Sequence, residues 1–408
     1  MALFLTAQAG AHLRSQIDEA TSDPQPKLPG VILHVVDNQN HAVFTHASGG
    51  TVPLSSQTLN TIHSVTKIIG AIALMQLVDR SLVSLDDPSV IPTLLPELAA
   101  KKILTGFTSA KDGTKSPIFV DQEGDITPRM LMNHTYGGGH TYFNTLLYEY
   151  LQEGWDKRNE ASDPHQTILD SPLLWQPGTH ANYGQGFDWV AVLIERATKQ
   201  NLSTYFQQHI FEPLGLQHIG FEEQYGSDIT SRPGHEGLFW PRSMKQPDGT
   251  YIPIDPPVLQ QLERGKTAYP QGEYHAYPLG SGLVASAEDT ARILLILAPQ
   301  NAGRDPVSGH QLLTPEAVSQ ITSPQLPAHL RNDSHTLPSA IGVIVPDGRS
   351  GRSKGSVYWY GAANTEFWID GEKGIVVFVN GNHFPMNNEI WFDMVARLEG
   401  DLYEGLRA

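Results

Sequence analysis

The stretch that decides the fold reads Ser64-Val65-Thr66-Lys67-Ile68-Ile69-Gly70-Ala71-Ile72-Ala73-Leu74-Met75-Gln76-Leu77-Val78. From residue 68 onward it is apolar almost all round, which predicts a helix in the interior of the protein. Serine three residues before lysine places a hydroxyl and an amine on one face, about one turn apart. Burying an ammonium group is costly and usually lowers its pKa. Lys67 as a neutral amine would then be a general base beside the nucleophile Ser64.

Two interpretations of this tetrad stay open on these residues alone. In the simpler one, Ser64 only caps the helix and Lys67 extends its amine to the surface. In the other, the two residues are nucleophile and base. Later segments of the chain bear on this choice.

Composition limits the class of protein. A chain of 408 residues with 40% hydrophobic residues can bury a large core, and its length suggests two or three structural units. A formal net charge of −16 argues against nucleic acid and against an anionic membrane surface as partners. The absence of cysteine excludes disulfides, thiolate catalysis and cysteine-ligated zinc.

The N-terminal residues 2–11 are mildly apolar but have no basic segment before them. We therefore expect an amphipathic helix packed on the domain, not a signal peptide. No apolar stretch reaches the roughly 18 residues that span a bilayer. These features together predict a cytoplasmic protein.

Strands are predicted at both ends of the chain and helices between them. A strand, turn and strand are expected at Val31–Val36, residues 38–40 and Ala42–Thr45. Further strands are expected at Ile341–Val345, Val357–Tyr360, Glu366–Asp370 and Ile375–Asn380, with helices at Ala287–Leu297 and Asn388–Leu406. This order implies one sheet built from both termini, with a helical lobe inserted. The predicted units are an α/β subdomain (1–62 and 275–408) and a helical subdomain (63–274), which includes an irregular insertion at about 222–274.

Two more segments have features of a catalytic site. Tyr183 lies on a glycine-rich bend just before an apolar helix, where its hydroxyl can point into a cleft. Gly361, Ala362 and Ala363 are small residues beside a strand, where a ligand can approach the backbone. A backbone N–H there can pair with that of Ser64 as an oxyanion hole. The simpler interpretations are a core tyrosine and a hairpin turn.

In this order, the three elements resemble the serine β-lactamase and penicillin-binding-protein family, whose motifs are Ser-x-x-Lys, Tyr-x-Asn and Lys-Thr-Gly. Residues 126–135, 211–216 and 280–289 resemble further landmarks of that family. The resemblance implies a β-lactamase/transpeptidase-like α/β (α+β) fold. In that fold, helices flank an antiparallel sheet built from both termini, and a mainly helical lobe is inserted.

The sequence departs from the family motifs at two places, and these differences bear on which substrates the protein can bind. The second motif is Tyr183-Gly184-Gln185, and the third is Trp359-Tyr360-Gly361, which lacks the lysine that helps hold a substrate carboxylate. A β-lactam or peptidoglycan substrate is therefore disfavoured. Arg352 and Lys354 lie upstream in a polar turn and are expected to be solvated.

The sequences Tyr-Gly-x-Gly-x-Asp-Trp (183–189) and Trp-x-Gly-Ala-Ala-x-Thr (359–365) look closest to the esterase and acyltransferase branch of the family. That branch includes class C-like carboxylesterases and the fungal lovastatin-type acyltransferase. The resemblance implies acyl transfer from an ester or a thioester, linked to CoA or to a carrier protein, onto water or a hydroxyl of a hydrophobic natural product. We favour an acyltransferase. A carboxylesterase and a non-catalytic ligand-binding protein on the same fold are the alternatives.

The resemblance also implies roles for individual residues. Ser64 attacks the acyl carbonyl, Lys67 and Tyr183 share its proton, and the N–H groups of Ser64 and Ala362 hold the oxyanion. Which of Lys67 and Tyr183 is the principal base stays open. The predicted substrate-binding residues are Trp359, Tyr360, Gly361 and Gln185.

Two other signals are set aside. Gly351-Arg352-Ser353-Lys354-Gly355 matches the Gly-x-Ser-x-Gly nucleophile motif, but a strand instead of a helix is expected after it, so we interpret it as a hairpin. His134, His140 and His180 lack a recognisable metal-ligand spacing. We therefore expect no metal and no cofactor.

Overall fold

The computed structural model describes residues 3–22, 26–151, 164–221, 229–254, 278–330, 343–345, 351–386 and 388–408. The strands are β1 (Phe4–Leu5), β2 (Gly30–Asp37), β3 (Ala42–Gly49), β4 (Asn60–Thr61), β5 (Ile103–Ser109), β6 (Lys115–Val120), β7 (Ile219–Phe221), β8 (Ser243–Lys245), β9 (Tyr251–Pro253), β10 (Leu283–Ala285), β11 (Val343–Val345), β12 (Ser356–Gly361), β13 (Thr365–Asp370), β14 (Ile375–Asn380), β15 (His383–Phe384) and β16 (Leu406–Arg407).

The α-helices are α1 (Ala7–Thr21), α2 (Thr66–Asp79), α3 (Val90–Leu94), α4 (Pro96–Ala99), α5 (Pro128–Met132), α6 (Thr145–Leu151), α7 (Pro164–Asp170), α8 (Gly186–Thr198), α9 (Leu202–Phe206), α10 (Glu212–Leu214), α11 (Ala287–Ile296), α12 (Pro315–Thr322) and α13 (Glu389–Gly405). Short 3-10 turns lie at His63–Val65 and Ala328–Leu330, and a π-helical turn lies at Gln207–Phe211. No described helix is both long enough and apolar enough to cross a bilayer.

The main sheet has six antiparallel strands in the order β11-β12-β13-β14-β2-β3. Its strands come from the two ends of the chain, as predicted. Successive residues of β2 point to opposite faces because a strand has a side-chain period of two. Leu33 and Val35 pack with Ile17 of α1 and Trp391 of α13. Ile32 and Val36 face the other core, which includes α2 and α11. The amphipathic N-terminal helix and the closing helix are thereby confirmed, and they share one face of the sheet.

Helix α2 lies in the centre of the molecule. Every residue from Thr66 to Leu77 is buried, and the helix packs in one core with α8 and α12. This confirms the prediction of an interior helix behind the Ser-x-x-Lys tetrad. Because the helix is surrounded by protein, it holds its N-terminal residues in a fixed place.

Two regions differ from the expectation. Strands β5 and β6 form a two-stranded hairpin within the region expected to be helical. All side chains of β6 are exposed, so no alternation of buried and exposed positions marked it in the sequence. Within the insertion expected to be irregular, β8 and β9 form a three-stranded sheet with β15. Residues 222–228 and 255–274 of that insertion lie outside the described residues, and the predicted subdomain boundaries stay predictions.

Candidate active site

Ser64 lies in the 3-10 turn that joins β4 to α2. His63, just before it, has a φ of 47°, a left-handed conformation that is uncommon for residues other than glycine. From Thr58 to Leu77, Ser64 is the one residue that is not buried. The sharp turn therefore presents a single hydroxyl at the surface of an otherwise buried segment.

Lys67 lies one turn further along and is only 4% exposed. Its Nζ is 3.3 Å from Ser64 Oγ and donates a 2.6 Å hydrogen bond to the carbonyl oxygen of Gly280. Asp188 fixes that loop in turn, because the Gly280 N–H donates to Asp188 Oδ1 at 2.9 Å. Lys67 forms no ion pair with a described residue. The amine thus points at the serine and not to the surface, which removes the simpler interpretation of the tetrad.

Tyr183 completes a group of three side chains. Its hydroxyl donates to Ser64 Oγ at 2.9 Å, and Lys67 Nζ lies 4.8 Å from the centre of its ring. The ring is packed between Trp359 (5.6 Å between ring centroids) and His134 (4.6 Å). Ser64, Lys67 and Tyr183 are called the helical side of the site below.

The bend that carries Tyr183 is held by close backbone packing. A Cβ at Gly184 would lie 2.9 Å from the Cα of Gly139, so the two chains pass at a distance that only glycine permits. His134 accepts a 3.3 Å hydrogen bond from the Gly184 N–H on its Nδ1, and its carbonyl accepts from Asn182. Burial lowers the pKa of His134 well below its usual value, as do the neighbouring charges of Lys67 and His140. His134 is therefore a neutral acceptor that positions Tyr183, a role that the sequence did not indicate.

The end of β12 faces the helical side. The rings of Trp359 and Tyr360 contact each other in a tilted arrangement, with 4.8 Å between centroids, and Trp359 also contacts Tyr183. A Cβ on Gly361 would lie 2.7 Å from the carbonyl oxygen of Ile62, so the strand end rests directly on the residues before Ser64. Ala362 follows in the turn between β12 and β13 and is partly exposed. This places the predicted oxyanion donor beside the nucleophile's segment, and its role stays a prediction.

Gln185 is brought to a different place. Its side chain is buried, and its backbone carbonyl accepts from the Asp188 N–H at the start of α8. It lines a small internal cavity together with Lys101 and Trp189. The structure places Gln185 in the interior. Its predicted contact with substrate stays a prediction.

The likeness to known proteins agrees with this geometry. Residues 13–395 match the family model described as Beta-lactamase. The chain belongs to the beta-lactamase family. In this beta-lactamase family, the serine of Ser-x-x-Lys is the nucleophile, and Ser64 occupies that position.

Relatives within the beta-lactamase family include acyltransferases and an esterase. The ML-236A carboxylate methylbutanoyltransferase of Penicillium citrinum is 28% identical over 93% of this chain and 91% of its own length. The lovastatin esterase of Penicillium rubens is 32% identical over 50% of this chain and 52% of its own length. A LovD6 mutant of simvastatin synthase from Aspergillus terreus superposes with a TM-score of 0.79 at 24% identity, covering 98% of this chain and 95% of that one. The protein is therefore an acyl-transfer enzyme of the beta-lactamase family.

The family's third-motif lysine is missing here, and the two basic residues upstream of β12, Arg352 and Lys354, lie in different environments. Arg352 is only 3% exposed, pairs with Glu399 at 2.7 Å and stacks 4.1 Å from the ring of Trp368. The expectation that Arg352 is solvated was wrong, because α13 brings Glu399 to it from far along the chain. Lys354 is exposed, as expected, and the segment leads into β12, which confirms the hairpin interpretation of Gly351–Gly355.

Sequence reasoning missed Arg242, which lies just before β8. It is only 6% exposed, and burial lowers its pKa to about 10. Burial and the charges of Arg242 and Lys67 lower the pKa of His63 to about 3. The pattern around Arg242 carries no recognisable signal, because the residue reaches the site only through the pairing of β8 with β15. Trp359–Ala362 and Arg242 are called the sheet side of the site below.

Proposed function

We propose that this protein is a serine acyltransferase that forms an acyl-Ser64 intermediate and passes the acyl group to a hydroxyl of a hydrophobic acceptor. The observation that carries the proposal is the position of Ser64 Oγ, which lies within 3.3 Å of Lys67 Nζ and 2.9 Å of Tyr183 Oη. A hydroxyl in hydrogen-bond contact with two groups that can exchange a proton with it is the arrangement that covalent acyl transfer needs.

The reaction has two matched halves. In the first, Ser64 Oγ bonds to the acyl carbon, its proton passes to the Lys67–Tyr183 pair, and that proton then leaves with the departing thiol or alcohol. In the second, the pair takes the proton of the acceptor hydroxyl, whose oxygen attacks the acyl carbon. Ser64 leaves and recovers the proton. Lys67 and Tyr183 both contact Ser64 Oγ, so we treat them as one proton-transfer pair.

The charge that develops on the carbonyl oxygen needs donors that are already in place. The N–H groups of Ser64 and Ala362 are our candidates, because the Gly361 contact with Ile62 holds the two segments together. Each such donor contributes about 3 kcal/mol to transition-state stabilisation in serine enzymes.

The walls of the site suit an apolar acceptor. Trp359 and Tyr360 form one aromatic wall, and Phe143 lies 6.2 Å from Tyr183 with 59% of its surface exposed. Stacked rings bind fused or extended carbon skeletons through area burial. One relative is named ML-236A carboxylate methylbutanoyltransferase, and this name supports a short branched acyl group. We propose a thioester as the acyl donor, carried by CoA or by a carrier protein.

A carboxylesterase is the second candidate. The similarity to the lovastatin esterase of Penicillium rubens favours it, and the same three side chains would serve hydrolysis. The difference lies in whether water or an alcohol reaches the acyl-enzyme first.

Intact-protein mass spectrometry tests both candidates. The protein is incubated with N-acetylcysteamine thioesters of short acyl groups, p-nitrophenyl butyrate and a penicillin, and Ser64→Ala is the matched control. We expect a mass gain of one acyl group that requires Ser64 and that an added alcohol discharges faster than water does. Rapid loss in water alone identifies an esterase. No adduct from any donor would refute the proposal.

A further inference from the structure

Backbone hydrogen bonds on both sides of Arg242 fix its position next to the segment that carries Ser64. The Trp240 N–H donates to the Leu59 carbonyl at 2.9 Å, and the Ser243 N–H donates to the Asn382 carbonyl at 3.1 Å. On the far strand of the ladder, the ring of Phe384 contacts that of His63 edge-on, with 5.6 Å between centroids. Arg242 is therefore held by paired backbone on both sides and lies close to His63, which precedes Ser64.

The guanidinium of Arg242 has no partner among the described residues. It forms no hydrogen bond and no ion pair there, and its Nε is fully buried. The Nε2 of His63 is likewise buried and without a partner. A buried unpaired charge is strongly unfavourable, and such groups in native proteins call for an explanation such as a ligand.

Another buried arginine of the described structure, Arg352, and two half-buried ones, Arg196 and Arg292, are paired. Arg196 bonds to Glu97, Arg292 bonds to Asp305, and Arg352 bonds to Glu399, each at 2.7 Å. Each of these pairs fixes a helix to another segment of the fold. Arg242 joins nothing, so its cost is not offset by a structural contact.

We propose that Arg242 and His63 bind a carboxylate of the substrate. A guanidinium presents two parallel N–H groups that match the two oxygens of a carboxylate, and the neutral His63 supplies a third donor from Nε2. A single guanidinium also matches the single charge of a carboxylate better than the double charge of a phosphate monoester. The chain's net charge of −16 further disfavours a polyanionic ligand. This inference rests on the proposed acyl transfer, since the carboxylate belongs to one of its two substrates.

The carboxylate can come from the acyl group or from the acceptor, and paired substrates separate the two. For the acyl group, p-nitrophenyl hemiglutarate is compared with p-nitrophenyl valerate. For the acceptor, a hydroxy acid is compared with its methyl ester, with N-acetylcysteamine butyryl thioester as donor. In each pair, kcat/KM for the charged member is divided by that for the neutral member.

Arg242→Gln is expected to lower this ratio at least about tenfold for one pair, chiefly by raising KM for the charged member. The affected pair identifies which substrate carries the carboxylate. Arg242→Lys keeps the charge without the fork and is expected to lose part of the ratio. Lys245→Gln, which removes a cation from the adjoining strand β8, is the matched control and should leave the ratio unchanged.

Thermal unfolding separates binding from folding. Because Arg242 is buried and unpaired, Arg242→Gln and Arg242→Lys should keep the melting temperature of the wild type or exceed it. Folded Arg242 variants with unchanged ratios for both pairs would overturn the inference. Acylation of Ser64 by p-nitrophenyl valerate reports on the proposed function independently, so its failure and that of the carboxylate site are distinguishable.

Discussion

The two sides of the candidate site differ in whether their polar side chains have hydrogen-bond partners. On the helical side, each polar group has a partner: Ser64 Oγ contacts Lys67 and Tyr183, and Lys67 also bonds to Gly280. On the sheet side, Arg242 lies buried without a partner, and Gly361 leaves room only for the neighbouring backbone. The predicted reactive groups are thus held in place by the protein alone, whereas in our proposal the substrate supplies the missing partner on the sheet side. The following experiments test whether chemistry and recognition divide in this way.

The largest effect is expected from the nucleophile. Ser64→Ala should lower kcat for thioester and p-nitrophenyl ester turnover at least about 10⁴-fold, because no other described group of the site replaces the attacking oxygen. Steady-state kinetics and the loss of the acyl adduct check this. Ser15→Ala in α1, an exposed serine, is the control. Retained turnover in Ser64→Ala would place the chemistry elsewhere.

The proton-transfer pair should give the next largest effect. Lys67→Met and Tyr183→Phe are each expected to lower kcat about 10²- to 10⁴-fold, because each removes a group that takes or returns the serine proton. The double variant should be little worse than the weaker single variant, since the two act as a unit. Fully additive losses would contradict a shared proton.

Lys101→Met is the matched control for Lys67→Met. Lys101 is a partly buried lysine, and its Nζ donates to the carbonyl oxygens of Leu169 and Ser171, away from Ser64. Its removal should cost about 1–3 kcal/mol of unfolding free energy while kcat stays near the wild-type value.

On the sheet side, Gly361→Ala should lower kcat about a hundredfold. The new Cβ would lie 2.7 Å from the Ile62 carbonyl, so the β12 end must move away from Ser64 and take the Ala362 N–H with it. Kinetics with p-nitrophenyl butyrate measure the loss. Gly400→Ala in α13 meets no atom within 4 Å and should leave activity unchanged. Wild-type activity in Gly361→Ala would remove Ala362 from the oxyanion hole.

The smallest effect concerns acid stability. Burial holds the pKa of His63 at about 3 against 6.5 in an unfolded chain. The unfolded state therefore binds the extra proton first, so the stability due to His63 is full above pH 6.5 and is lost as the pH falls toward 3. By pH 5 the loss is about 2 kcal/mol.

Urea unfolding at pH 7 and pH 5 measures this loss. His63→Asn, which tolerates the positive φ, should reduce the difference between the two pH values by about 2 kcal/mol. His310→Gln, an exposed histidine, controls for the loss of an imidazole. An unchanged difference in His63→Asn would show that His63 is not a buried neutral group.

Much of the fold was predictable because its signals are local. The apolar run behind Ser64, the alternating strands near both ends and the closing amphipathic helix each bury a face that the sequence spells out. Hairpin β5–β6 was not predictable in this way, because β6 is exposed on both faces. The prediction that Arg352 is solvated was wrong for another reason. Its partner Glu399 lies 47 residues away in the sequence, so no local pattern indicates the pair.

The sequence by itself marked Ser64, Lys67 and Tyr183 as the candidate reactive residues, because each lies at or just before the start of an apolar helix. It also determined the small residues that end β12. Only the tertiary structure decided that Lys67 points at Ser64, that His134 supports Tyr183, that Gln185 turns inward and that Arg242 lies buried near His63. These outcomes depend on contacts between segments that are far apart in the chain. A local sequence pattern does not show which polar groups find a partner in such contacts and which do not.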